Sequence, residues 1–145
     1  HLLLLGEGEE KKILIKEIKK LQIENKISFL GHQENVYKYL LNSDCFILTS
    51  LWEDPGFTLL EAALSNTSII SSNCPNGPNE ILSDGQNGFL FENNNLSDLL
   101  NKFDEFKNST ENELNKKKLL AKKQIKKFTQ FVHFKSLENI INLNE

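Results

Sequence analysis

Short apolar runs alternate with amphipathic stretches along the first two thirds of this chain, and that alternation limits the fold more than any other feature. Leu2–Leu5, residues 27–30, Cys45–Leu48, residues 68–71 and Phe89–Phe91 each have the length and character of a buried strand. Between them lie stretches with helical spacing. Residues 9–24 place Ile13, Leu14, Ile18 and Leu21 on one face with lysines on the other, and residues 35–42 repeat Val36, Tyr39 and Leu40. Phe57–Leu64 and the short Pro78–Leu82 complete the series, and the run 84–88 (Asp-Gly-Gln-Asn-Gly) reads as a turn. Strands separated by helices and short loops need crossover connections, hence a parallel sheet covered by helices on both faces. The expected fold is therefore α/β, a Rossmann-like doubly wound domain. In such sheets a ligand lies beyond the carboxyl ends of the strands. The segments 6–9, 30–34, 50–57 and 73–79 all leave strand carboxyl ends, so they are expected to open onto one edge.

From about residue 96 the pattern becomes helical only. Residues 96–107, 111–128 and 132–141 read as three helices, with Ser97 and the Ser109-Thr110 pair as N-caps. We expect residues 1–95 to form the core and residues 96–145 to supply helices that complete the same domain. The lysines at 116–118, 122–123 and 126–127 read as a solvated helix face; peripheral contact with an anionic membrane surface is the other reading.

Bulk composition narrows the partners. A chain of 145 residues fits one domain and can bury a core without metals or disulfides. The net charge of −3 argues against nucleic acid as a partner, and all 17 basic residues are lysines, so arginine clamps are absent. Cys45 and Cys74 form no framework and point to a reducing, cytoplasmic setting. No apolar run is long enough to span a membrane, and no signal peptide is visible. The chain opens at His1 inside a strand pattern and contains no methionine, so it is expected to be a fragment of a longer protein.

The residues with chemical potential cluster in one segment, Trp52-Glu53-Asp54-Pro55-Gly56-Phe57-Thr58-Leu59-Leu60-Glu61. Glu53 and Gly56 follow a buried strand at its carboxyl end. The helix beginning at Phe57 aims unpaired N–H groups at that edge, which favours a phosphate. Gly56 allows a ligand close to the backbone. Glu61 sits about one turn into the helix, where its carboxylate can accept hydrogen bonds from a diol such as ribose. An ordinary helix glutamate and an exposed loop acid would carry the same letters; the position at a strand's carboxyl end favours the ligand reading. Paired carboxylates also serve acid–base hydrolysis of glycosides, but this spacing on one strand–loop–helix unit suits holding a ligand. No Asp-x-Asp and no His/Cys group with metal-ligand spacing occurs, so no metal is expected. Thr49 and Ser50 lack a His/Asp constellation, and Gly6-Glu7-Gly8 lacks the third glycine of a dinucleotide fingerprint.

The pattern Glu53-x7-Glu61 followed by Ala62-Ala63 resembles the signature of the retaining glycosyltransferases of family 4, which have the GT-B fold. The resemblance runs from residue 2 to about residue 92. Leu4-Leu5-Gly6-Glu7-Gly8-Glu9 is similar to the family's strand and Gly-x-Gly turn, and Ile27-Ser28-Phe29-Leu30-Gly31 to its next strand. Residues 41–50, the turn Asn76-Gly77-Pro78-Asn79-Glu80-Ile81 and the strand Gly85-Gln86-Asn87-Gly88-Phe89-Leu90-Phe91 follow in family order. The resemblance implies that Glu53 contacts the donor sugar and takes the catalytic, sugar-orienting part, with Gly56, Phe57 and Thr58 at the sugar and diphosphate. It implies that Glu61 holds the ribose, that Gly31, His32 and Gln33 line the base, and that Gly6 and Gly8 form a phosphate-side turn or a tight turn alone. Gly77 and Glu80 read equally as structural or functional.

The Asp54-Pro55 pair keeps the spacing but alters the loop beside the sugar, and the runs 52–57 and 72–82 together resemble more closely the surface-polysaccharide transferases that use UDP-sugars. The implied substrate is a nucleotide-sugar donor, with no cofactor. A sugar, lipid-linked or glycan acceptor would bind through an N-terminal domain outside this chain. The family's basic diphosphate ligands are also expected upstream, so the chain alone is expected to be inactive. A GT-B nucleotide-sugar epimerase and a non-catalytic nucleotide-binding or interaction domain are the alternatives.

Overall fold

The computed structural model describes residues 1–142 and divides into two compact units, His1–Lys38 and the segment from Tyr39 onward. Residues 143–145, the end of the expected helical segment 96–145, lie outside the described residues.

In the first unit, β1 (Leu2–Leu5) pairs in parallel with β2 (Ile27–Gly31). Leu2 lies opposite Ile27 and Leu4 opposite Phe29; the register then shifts, so that Leu5 faces Gly31. Between the strands, α1 spans Lys11–Lys20, shorter than the periodicity of residues 9–24 predicts. Gln22 adopts a left-handed φ of 56°, which ends the helix, and a 3-10 turn, Glu24–Lys26, leads into β2. Helix α2 (Tyr37–Leu40) is likewise reduced from the expected 35–42, and within it the chain passes from one unit to the next.

The second unit is built on β3 (Cys45–Leu48), β4 (Ser68–Ser72) and β5 (Phe89–Phe91), all parallel, with β4 in the centre and buried throughout. Ile47, Ile70 and Phe89 lie side by side in register, so they share one face. There Ile70, Phe89 and Phe91 form a core with Cys45, Ile47, Leu99, Phe106 and Leu114. Alternation puts Ile69 on the opposite face, also buried. The crossover helices α3 (Phe57–Leu64) and α4 (Pro78–Leu82) pack against β4 and β5 and bury Leu59, Ala62, Ala63, Ile81 and Leu82. The parallel strands flanked by helices agree with the expected fold class.

The later helices are α5 (Leu96–Asn108), α6 (Glu111–Gln124) and α7 (Gln130–Asn142), with a 3-10 turn, Ile125–Phe128, after α6. The cap of α5 is Asn95, not Ser97: extended backbone at Asn95 lets its side chain accept from the Asp98 amide at 3.0 Å. Thr110 caps α6 in a capping box with Glu113. The Thr110 amide and then its hydroxyl hydrogen-bond to the Glu113 carboxylate and hold its pKa below the ordinary value. One residue of the lysine run departs from the solvated-face reading. Lys117 turns inward, donates to the Gly85 and Gly88 carbonyls at 2.9 and 3.0 Å, and lies over the Phe89 ring. Burial lowers its pKa. The lysine thus closes the glycine-rich turn that precedes β5.

Cys45 on β3 has its thiol pKa pushed up to about 12; burial is the main cause, a backbone hydrogen bond from Ile70 opposes it, and the neighbouring Asp44 carboxylate adds to it. An unfolded thiol ionises near its ordinary value of 9.0, so above that pH the unfolded state loses a proton that the folded state keeps. This contribution to stability is complete below about pH 9 and declines as the pH rises toward about 12. Urea midpoints measured from pH 8 to 10.5 should therefore fall more steeply for the native chain than for Cys45→Ala; parallel curves would refute the assignment.

Candidate functional site

Three segments meet at the carboxyl edge of the second unit's sheet. The loop after β3 is stitched down repeatedly. Ser72 Oγ donates to the Ser50 carbonyl at 2.6 Å, and Asn93 Nδ2 to the Leu51 carbonyl at 2.9 Å. The Glu53 amide donates to the Pro75 carbonyl at 3.1 Å. Gly77 packs its backbone against the Pro55 carbonyl so closely that a Cβ there would collide with it. These ties come from β4, from the loop after β4 and from the loop after β5. They fix the path on which Glu53 is presented.

Gly56 is the N-cap of α3, buried and left-handed at φ 84°, ψ 46°. It makes no side-chain cap, and its carbonyl accepts from Leu59 at 3.0 Å. The amides of Phe57 and Thr58 therefore begin the helix with no intrahelical acceptor. Glu53 Cβ and Cγ lie 3.8 Å from where a Gly56 Cβ would stand, so the half-buried acid lies beside that helix start. Glu61 is half-buried on the same helix, and its carbonyl, not its carboxylate, serves Ser65. Neither the Glu53 nor the Glu61 carboxylate has a hydrogen-bond or ion-pair partner among the described residues. The structure thus brings Glu53, Gly56, Phe57 and Thr58 together, with Glu61 one turn further along.

The other expected site residues belong to the first unit. Gly6, at φ 110°, donates its amide to the Gly31 carbonyl at 2.7 Å, which ties the turn after β1 to the end of β2. Gly31 is left-handed at φ 66°, and a Cβ on it would come 2.7 Å from Glu7 Oε1. Both glycines thus have a conformational reason to be there. Gly8 accepts from the Lys11 amide at 3.3 Å as α1 begins, in open space. His32 is exposed, whereas Gln33 folds back to donate to the Leu30 carbonyl at 2.7 Å. Gly77 owes its place to Pro55, and the Glu80 carbonyl accepts from Gln124 Nε2 at 2.9 Å.

Sequence reasoning did not find Ser72, Pro75 or Asn93 as supports of the loop. Ser72 falls just after the expected strand 68–71, and Asn93 stands in an asparagine run that carries no chemical motif. Among the described residues no group of three or more His, Cys, Asp or Glu side chains is placed to hold a metal ion, and no helix is long and apolar enough to cross a membrane.

A family model described as "Glycosyl transferases group 1" matches residues 1–127. The chain belongs to this family. Among the family's curated relatives, it is 44% identical over 81 residues to an uncharacterised glycosyltransferase of Methanocaldococcus jannaschii, covering 56% of this chain and 20% of that protein. It is 32% identical over 94 residues to the N-acetylgalactosamine-N,N'-diacetylbacillosaminyl-diphospho-undecaprenol 4-alpha-N-acetylgalactosaminyltransferase of Campylobacter jejuni, covering 65% of this chain and 26% of that one. The Anabaena HepE protein, crystallised with UDP and glucose, superposes with a TM-score of 0.83 at 22% identity over 97% of this chain and 40% of its own. That likeness shows the fold, which is that of the GT-B glycosyltransferases. The chain spans about a fifth to two fifths of the length of these proteins.

Proposed function

We propose that this chain is the donor-binding part of a retaining glycosyltransferase that takes a sugar from a UDP-sugar and passes it to an acceptor in surface-glycan assembly. The observation that carries the reading is the pair Glu53 and Glu61 on either side of the α3 N-terminus, both half-buried and both without a partner among the described residues. In this reading the amides of Phe57 and Thr58 and the helix dipole accept the diphosphate. Glu61 takes the ribose hydroxyls. Glu53 orients the sugar so that its anomeric carbon faces the acceptor, and the helix terminus stabilises the charge that develops on the departing diphosphate. The names of the relatives support this: one acts on an undecaprenol-linked glycan, and the HepE crystal holds UDP with glucose. The acceptor, a lipid-linked or other glycan, would be held by further domains, with the protein cytoplasmic and peripheral at a membrane. No metal or cofactor is assigned a part in the transfer.

Calorimetric titration of the 145-residue chain with UDP tests the site. The native chain should bind, and Glu61→Ala should bind at least tenfold more weakly while keeping its circular dichroism and urea midpoint; a tenfold loss corresponds to about 1.4 kcal/mol. Equal affinity, or binding by neither protein, would overturn the assignment.

A further inference from the structure

The loop around Glu53 combines a fixed backbone with an unpacked side chain. Its carbonyls at Ser50 and Leu51 and its amide at Glu53 are all engaged by other segments, and Gly77 abuts Pro55. Trp52 lies inside this stitched stretch, yet its side chain leaves 66% of the residue exposed. Among the described residues its ring has no aromatic or cation–π partner. It is also the chain's only tryptophan. A loop tied down merely for stability would gain most by burying its largest apolar residue. Here the ties instead hold an indole out in solvent, directly before a carboxylate that is itself without a partner.

An indole and a carboxylate that follow one another on a fixed backbone can match a pyranose between them. The ring covers the apolar C–H face while the acid accepts from the hydroxyls, and a fixed backbone lowers the entropy of forming both contacts. Phe57, also 66% exposed, begins α3 on the far side of Glu53, so the acid is bracketed in sequence by two solvent-facing aromatics. A nucleoside diphosphate alone needs neither ring in the arrangement proposed above, since its phosphates and ribose are met by the α3 amides and Glu61.

We propose that Trp52 is a specificity-determining residue that stacks on the donor's sugar ring, so that its engagement separates a UDP-sugar from UDP. The proposal rests on the donor-site reading above. Because Trp52 is the only tryptophan, its fluorescence reports the contact directly. UDP should bind by calorimetry with little change in emission. At least one of UDP-glucose, UDP-galactose, UDP-N-acetylglucosamine and UDP-N-acetylgalactosamine should bind with a clear quench or blue shift. Trp52→Ala should weaken that UDP-sugar about tenfold and leave UDP within about twofold, and Trp52→Phe should restore most of the loss, in keeping with the usual worth of an aromatic contact. If UDP and all four UDP-sugars bind but leave Trp52 emission equally unchanged, the stacking assignment is overturned while the donor site stands. If neither UDP nor any UDP-sugar binds, the donor-site reading fails, and this one with it. A blue shift produced by anionic phosphatidylglycerol vesicles, with none from the four UDP-sugars, would assign the indole to a lipid surface and overturn the proposal.

Discussion

Phe89→Ala should cost the chain about 3–5 kcal/mol of stability, the usual range for removing a buried phenyl ring. Phe89 is 2% exposed on β5 and lies in register with Ile70 of the central strand. Its ring meets Phe106 of α5 edge to face at 5.9 Å, and the Lys117 ammonium stands 4.8 Å from its centroid. Three elements therefore lean on one side chain. Collapse into the cavity is opposed on two sides: Leu99 and Phe106 both anchor α5 to this cluster, and the two carbonyl hydrogen bonds of Lys117 hold α6 to the turn before β5. The edge-to-face pair adds about 0.5–1.5 kcal/mol beyond area burial. Urea unfolding followed by circular dichroism should show a lower midpoint with an unchanged slope. A double-mutant cycle with Phe106→Ala should recover a coupling in that range. Phe103→Ala, at a ring that is 37% exposed, should lose far less. A loss below about 1 kcal/mol for Phe89→Ala would mean that the sheet and α5 are not held through this ring.

The same core shows what the sequence could reveal and what it could not. Five strands and the alternating helices were legible because each strand is a short apolar run and each helix keeps a 3.6-residue period, which are local properties. The placement of Glu53, Gly56 and Glu61 around the start of α3 was legible for a related reason: a break, a helix start and two acids fall in one continuous segment, so no long-range contact is needed to bring them together. Helix ends were less legible. Residues 21–24 keep an apolar pattern compatible with helix, but the left-handed turn at Gln22 stops α1 at Lys20. Ser97 and Asn95 are both good caps, and only the backbone at Asn95 decides between them. Lys117 looked like its six neighbours in the lysine run because its difference lies in carbonyls some 30 positions upstream, at 32 and 29 residues' separation. The same holds for Ser72, Pro75 and Asn93. Their parts in fixing the Glu53 loop depend on pairing between segments that no local pattern encodes.

Gly77→Ala should be as damaging as the loss of a core ring, and it should reach the candidate site as well. Two effects add at this position. The backbone at φ 121°, ψ −55° is closed to most L-residues, at roughly 1–3 kcal/mol for a strained residue. The new methyl would also be driven into the Pro55 carbonyl, a backbone atom that cannot rotate away. Pro55 lies in the loop that presents Glu53, and the neighbouring Pro75 carbonyl holds the Glu53 amide at 3.1 Å. Relief of the collision must therefore displace the segment 52–56, the 75–77 turn or both. We expect a loss of about 3–5 kcal/mol by urea unfolding, with weaker UDP binding at temperatures where the variant stays folded. Gly85→Ala separates the two effects. Gly85 also has a positive φ, 83°, but its added methyl would meet only Leu90 Cβ at 4.0 Å. It should cost roughly 1–2 kcal/mol from conformation alone and leave UDP affinity unchanged. Equal losses for the two variants would show that the Gly77–Pro55 contact does not brace the loop, and that Glu53 is held by its hydrogen-bonded neighbours alone.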